Sequence, residues 1–252
     1  MKLNDSVRTV LDVAWYLVVF LMIQVLVSLP LGQGCVSAIV SSVLVTALFI
    51  WRKWVRLSPS YLRSRQWGVL IWVALFSLGS IIPSEWLQEQ LGFEMPKAME
   101  QLFTTMLSEP LAYPAIGVLV PLVEEVVFRG AILRCLLQRF PHVNHWFAIL
   151  FSAVLFGAVH ANWAQFVHAL LIGIVLGWMY YRTESILPGM VLHWVNNTVA
   201  YLLFHLLPNA HEAKLLDLFQ GNERNVWLAL LFSLFILLPS LLQLALRLRK
   251  AK

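Results

Sequence analysis

Long runs without a single charge limit this chain more than any other feature. No Asp, Glu, Lys or Arg occurs between Asp12 and Arg52, between Arg65 and Glu85, between Glu109 and Glu124, between Arg139 and Arg182, between Glu184 and Glu212, or between Arg224 and Arg247. A helix needs roughly 20 apolar residues to cross the hydrocarbon of a bilayer, so the longest runs can cross twice. Lipid offers backbone groups no hydrogen-bond partner, which selects helices over open sheet. Barrel strands would alternate polar and apolar residues, and these runs do not. Composition agrees. Of 252 residues, 60% are hydrophobic and 12% charged, too apolar for a soluble chain of this length that must coat itself with polar surface.

Turn chemistry such as Pro30-Leu31-Gly32 and Pro208-Asn209 cuts the chain into about eight expected spans, each near the length of a crossing. They cover residues 11–29, 36–51, 67–84, 111–134, 146–162, 164–181, 186–206 and 226–246. The connecting segments alternate in charge. Lys2 and Arg8, then Arg52, Lys53, Arg56, Arg63 and Arg65, then Arg134 and Arg139, then Arg182, and finally Arg247, Arg249, Lys250 and Lys252 fall on one side. The other side has a basic-poor turn at Pro30, the mainly acidic segment 85–109, the turn at 161–163 and a mixed segment 207–225. Basic loops stay in the cytoplasm, so both termini are expected there. The expected fold class is an all-α, polytopic transmembrane bundle, a single domain over 1–252, multi-pass in the cell (plasma) membrane. The first span is read as uncleaved, because its apolar run is long for a signal peptide and a second follows at once. The net charge of +5 is accounted for by the basic face, so no nucleic-acid partner is implied. Cys35 and Cys135 have no CxxC spacing, which argues against a zinc-thiolate site, and they fall near opposite faces, so they are not expected to pair with each other. The segment 85–109, with Glu85, Glu89, Glu94, Glu100 and Glu109, reads as amphipathic or interfacial, either a solvated acidic loop or a substrate guide.

Against this apolar background a few polar groups stand out. Charges at mid-membrane cost at least a few kcal/mol each and usually serve function. The fourth span reads Pro121-Leu122-Val123-Glu124-Glu125-Val126-Val127-Phe128-Arg129-Gly130. Glu125 and Arg129 are four apart and can pair. Glu124 is rotated about 100° away and is freer to do chemistry. A purely structural ion network would explain one Glu–Arg pair but leaves the second glutamate without a purpose. The fifth span ends in Phe156-Gly157-Ala158-Val159-His160, with His160 near its outer end. The seventh carries His193 and Asn197 on one face, with Asn196 pointing elsewhere. A carboxylate pair, two histidines and an amide on three spans supply a base for water and donors for an oxyanion. They also suit a metal, since His and Glu are zinc ligands. His168 reads as a packing or supporting residue, and Gly173 and Gly177 as a close-packing face. The tryptophans, among them Trp51, Trp54, Trp67, Trp86 and Trp146, fall near span ends as an aromatic belt.

At these residues the sequence resembles the CPBP group of intramembrane proteases, which includes the CAAX prenyl endopeptidases and bacterial Abi or bacteriocin-processing relatives. The EExxxR motif is Glu124, Glu125 and Arg129, ending in Phe128-Arg129-Gly130. The FxxxH motif is Phe156 and His160, and the HxxxN motif is His193 and Asn197. The run 177–186 before His193 is also typical, and the resemblance covers about 121–200. It implies an intramembrane endopeptidase with a catalytic core over about 111–206, acting on a membrane protein or peptide within the lipid bilayer. Glu124 with His160 would activate water, His193 and Asn197 would hold the oxyanion, and Glu125, Arg129 and Phe156 would support the site. The family has been described both as a glutamate protease and as a metalloprotease. If a metal such as Zn2+ is used, Glu124, His160 and His193 are the expected ligands. Two other classes fit buried charges: a non-catalytic scaffold or regulator of the same family, and a proton-coupled transporter, for which the inverted repeat expected of many carriers is not found.

Overall fold

The structure is a computed structural model that describes residues 3–56, 61, 67–207 and 214–250. Lys2, Arg63, Arg65 and Lys252 of the expected basic segments, and the Pro208-Asn209 turn, lie outside the described residues. Every regular element among them is helical. These are α1 (Leu3–Leu31), α2 (Cys35–Trp51), α3 (Trp67–Leu91), α4 (Lys97–Leu107), α5 (the continuous run 113–139), α6 (His145–Ala158), α7 (Trp163–Thr183), α8 (Leu187–Leu206), α9 (Leu215–Leu218) and α10 (Glu223–Arg247). Each expected span has its helix, with shifted ends. Four are long and apolar enough to cross a membrane: Asp5–Leu31 of α1, and α3, α7 and α10. α2 and α6 are apolar but shorter. Pro30 and Pro83 lie inside α1 and α3 rather than ending them. A proline removes only its own N–H and crowds one carbonyl, a defect that membrane helices tolerate.

Contacts set the direction of each helix. Asp12 pairs with Arg139 at 3.5 Å and Phe20 meets Phe128 edge-on at 5.9 Å, so α1 and α5 run antiparallel. The backbone N–H of Cys35 donates to Glu109 Oε2 at 3.0 Å, and Arg134 donates to the Trp54 carbonyl at 3.3 Å, so α2 runs alongside α5. Arg182 donates to the carbonyls of Ala245 and Leu248 at 2.9 and 3.1 Å, tying the end of α7 to the end of α10. Trp86 and Trp227 meet at 6.1 Å where α3 ends and α10 begins. Arg52, Arg134, Arg139, Arg182 and Arg247 thus gather at one end of the bundle. Glu109 and the Trp86–Trp227 pair mark the other end. Cys35 and Cys135, both free thiols, lie towards opposite ends.

Small residues decide how closely helices approach. A Cβ on Gly177 would sit 2.9 Å from Ile149 Cγ2, and one on Gly173 would sit 3.1 Å from Ala153 Cβ, so the expected small-residue face of α7 packs on α6. A Cβ on Gly79 would lie 2.7 Å from the backbone N of Leu237, and backbone cannot swing aside. Gly79→Ala should therefore push α3 from α10 and cost about 1–3 kcal/mol. Gly68→Ala, in the same helix with nothing within 4 Å of the added carbon, should be neutral or slightly stabilising. Thermal unfolding of both variants in detergent checks this.

Candidate active site

α5 is not the regular helix that its sequence suggested. Its turns are widened over Tyr113–Leu119 and again over Glu125–Leu133. The Val120 N–H reaches five residues back to the Ala115 carbonyl, and the Arg134 N–H reaches Arg129. Pro121 gives a physical reason for the first widening: it donates no bond, and its ring would press on the carbonyl of Gly117 in a tight helix. Widened turns of this kind are frequently found at functional sites. The second one carries Glu125 through Arg129.

Arg129 and Glu125 are 1% and 0% exposed and pair at 2.9 Å. Taking both charges out of water costs several kcal/mol per ion, so the surroundings must compensate. Arg129 Nη2 also donates to the Gly173 carbonyl at 3.3 Å, and its guanidinium lies 4.4 Å over the Phe156 ring. Gly189 lets α8 approach, since a Cβ there would stand 2.5 Å from Glu125 Oε2. Compensation is still incomplete. Glu125 Oε2, Arg129 Nε and His193 Nδ1 are buried without a hydrogen-bond partner among the described residues.

α8 runs antiparallel to α5 across this pair. His193 stands between the two carboxylates, with Nε2 3.5 Å from Glu124 Oε2 and Nδ1 3.7 Å from Glu125 Oε1. Glu125 therefore faces His193 as well as Arg129, which its expected role as the arginine's partner did not include. One turn on, Asn197 Nδ2 donates to the Ile116 carbonyl at 3.0 Å. The Asn196 amide also donates to Asn197 Oδ1 at 3.4 Å. Asn196 does not point elsewhere, as its spacing suggested. It lines the same cavity as Glu124, His160, His193 and Asn197.

His160 joins this group because α6 is short. Its 14 residues rise about 21 Å, against a hydrocarbon thickness of roughly 30 Å. The expected span ran to 162, but the helix ends at Ala158, so the following turn stays at the depth of the glutamates. Ala161 takes a left-handed φ of 57° in that turn. Asn162, which sequence reasoning missed, holds it. Its Oδ1 accepts from the Gln165 N–H at 2.9 Å, and its Nδ2 donates to the His160 carbonyl at 3.0 Å and to Gln165 Oε1 at 2.6 Å. An Asn one residue before a helix is a recognisable cap signal. His160 Nδ1 lies 2.9 Å from the Phe156 carbonyl. A carbonyl only accepts, so Nδ1 carries the proton and Nε2 of a neutral ring keeps its lone pair. Phe156 touches three site residues: Arg129 on its face, and His160 and His193 edge-on at 5.2 and 5.9 Å.

The shared cavity has a volume of about 340 Å3, the size of a small-molecule or side-chain site. Its other wall is apolar, with Phe103, Met106, Ile116 and Val120. His168 lines it too and is held by Ser84 Oγ at 3.1 Å. No three His, Cys, Asp or Glu side chains among the described residues are arranged to hold a metal ion. The expected set of Glu124, His160 and His193 shares a cavity without forming such a group.

Residues 106–199 match the family model described as "Type II CAAX prenyl endopeptidase Rce1-like". That stretch contains every site residue named above from Glu124 to Asn197. The match supports a likeness of this stretch to the CPBP family of intramembrane proteases. The chain is 27% identical to the "Putative membrane peptidase YdiL" of Bacillus subtilis (strain 168) over 138 residues, 54% of this chain and 55% of that protein. It is 24% identical to the "Uncharacterized 24.3 kDa protein" of Escherichia coli over 172 residues, 63% of this chain and 75% of that protein. The chain thus spans about half the length of the Bacillus relative. No solved structure matches it. The likeness to membrane peptidases together with the apolar helices makes the chain an integral membrane protein.

Arg129→Met should cost about 3–5 kcal/mol, because it leaves Glu125 buried and uncompensated. Adding Glu125→Gln to Arg129→Met should restore most of that loss. Thermal unfolding of the single and double variants reads both.

Proposed function

We propose that this chain is a CPBP-type intramembrane endopeptidase that hydrolyses a peptide bond of a membrane protein or membrane-associated peptide. The observation that carries the reading is one cavity lined by Glu124, His160, His193 and Asn197 from three separate parts of the chain. Water in the cavity stands between Glu124 and the unprotonated Nε2 of His160, and gives up its proton to them as it attacks the carbonyl carbon. In the resting site the Glu124 carboxylate, 3.5 Å away, orients an N–H at His193 Nε2 towards itself. When Glu124 takes the proton of water its charge falls, and that N–H turns to the carbonyl oxygen just as negative charge develops there. Asn197 uses one amide hydrogen on Ile116 and has a second for the same oxyanion. The proton on Glu124 or His160 then passes to the leaving amine. Glu125 and Arg129 keep this side of α5 neutral and fixed. A scaffold would need no such convergence of base and donors. By the positive-inside rule, the basic end of the bundle faces the cytoplasm in a multi-pass arrangement of about eight spans in the plasma membrane.

The test is cleavage of candidate membrane peptides by the purified protein in proteoliposomes, followed by mass spectrometry. His160→Ala should lower kcat/KM by about 100- to 10,000-fold, the range for loss of a general base. Asn197→Ala should lower it by about 100- to 1,000-fold, the range for loss of an oxyanion donor. Unchanged activity in both variants would overturn the assignment.

A further inference from the structure

A second cavity, of about 250 Å3, adjoins the first where α3, α7 and α8 meet. The two share Gln165, His168, Asn196 and Ala200 as common wall. Beyond that wall the second cavity is lined by Ser84, Glu85, Gln88 and Met95. Ser84 is committed to His168. Glu85 makes no hydrogen bond or ion pair with any described residue. Glu89, one turn further along α3, is already occupied by the Leu215 N–H at 2.5 Å. No Lys or Arg lines either cavity. The path from Glu85 to Glu124 thus has a carboxylate at each end and no fixed cation, and low-dielectric walls concentrate the field of such charges.

We propose that this second cavity is a substrate subsite that takes a basic side chain, Lys or Arg, with Glu85 as its counter-charge and Gln88 as a neutral acceptor. The subsite rests on the peptidase reading, because the polypeptide whose scissile bond lies at Glu124 continues past Gln165 and Asn196 into it. The apolar wall of the first cavity, with Phe103 and Met106, then receives the residues on the other side of that bond. The substrate class is a membrane segment, apolar up to the cleavage point, that carries a basic residue where it emerges.

Binding and cleavage are read separately. Fluorescently labelled Leu/Ala-rich peptides carry a single Lys, Gln or Glu walked along their length. Their affinity is measured by anisotropy on the full-length Glu124→Gln protein in nanodiscs, and their hydrolysis on protein with Glu124 intact. At one position Lys should be favoured over Gln by about tenfold, equivalent to 1.4 kcal/mol. Glu85→Gln should abolish that preference and leave the Gln peptide unchanged. Glu85→Lys should favour the Glu peptide instead. No Lys preference at any position, a preference that survives Glu85→Gln, or equal weakening of all peptides by Glu85→Gln would overturn the subsite. A Lys preference lost in Glu85→Gln without hydrolysis of any peptide would keep the subsite and remove the peptidase reading.

Discussion

Burying Glu125 and Arg129 side by side is the constraint to which the rest of the site is fitted. Neither charge is tolerable alone inside an apolar bundle. Their mutual pairing therefore fixes the phase of α5 and presents Glu124 to the neighbouring cavity. The pair also dictates what may stand nearby. α7 must bring a carbonyl to Arg129, which Gly173 allows, and α6 must offer a flat ring, which Phe156 supplies. α8 must approach without a Cβ at Gly189. Three helices are thus positioned by one ion pair, and two of them carry the other polar groups of the site, His160 beyond the end of α6 and His193 and Asn197 on α8.

Depth is the second theme. Peptide hydrolysis needs water, and a bilayer excludes it. A full-length α6 would have carried His160 away from Glu124. Instead the helix stops early, and Asn162 holds the turn with hydrogen bonds in both directions. The polar turn lies beside the second cavity, whose wall includes Gln165 and His168. His168 sits in the wall between the two cavities, held by Ser84 Oγ at 3.1 Å.

Much of this was legible in the sequence, because uncharged runs and loop charge speak directly to helices and their alternation. The motif spacing named Glu124, His160, His193 and Asn197, and all four line one cavity. Other features depend on tertiary geometry. Asn196 faces the cavity although a regular helix separates it from His193 and Asn197, and Glu125 contacts His193 as well as Arg129. The first widened turn of α5 has a visible cause in Pro121, but the spacing rules assume a regular helix. His160 is expected near the outer end of a span reaching 162, whereas the helix ends at Ala158 and His160 lies in the turn that follows. The acidic segment was readable as charge alone. That Glu85 lines a cavity adjoining the site follows from how α3 packs on α7 and α8.

The two adjacent glutamates separate chemistry from support, and replacing each in turn tests that division most directly. Peptide hydrolysis and thermal unfolding should be measured on purified Glu124→Gln and Glu125→Gln proteins under the same conditions. Glu124→Gln is expected to keep the unfolding temperature of the unaltered protein and lose hydrolysis. Glu125→Gln is expected to lose stability together with activity, because Arg129 is left buried without its partner. Hydrolysis that persists in Glu124→Gln, or equal destabilisation by the two changes, would contradict the assignment of Glu124 as the base and Glu125 as its support.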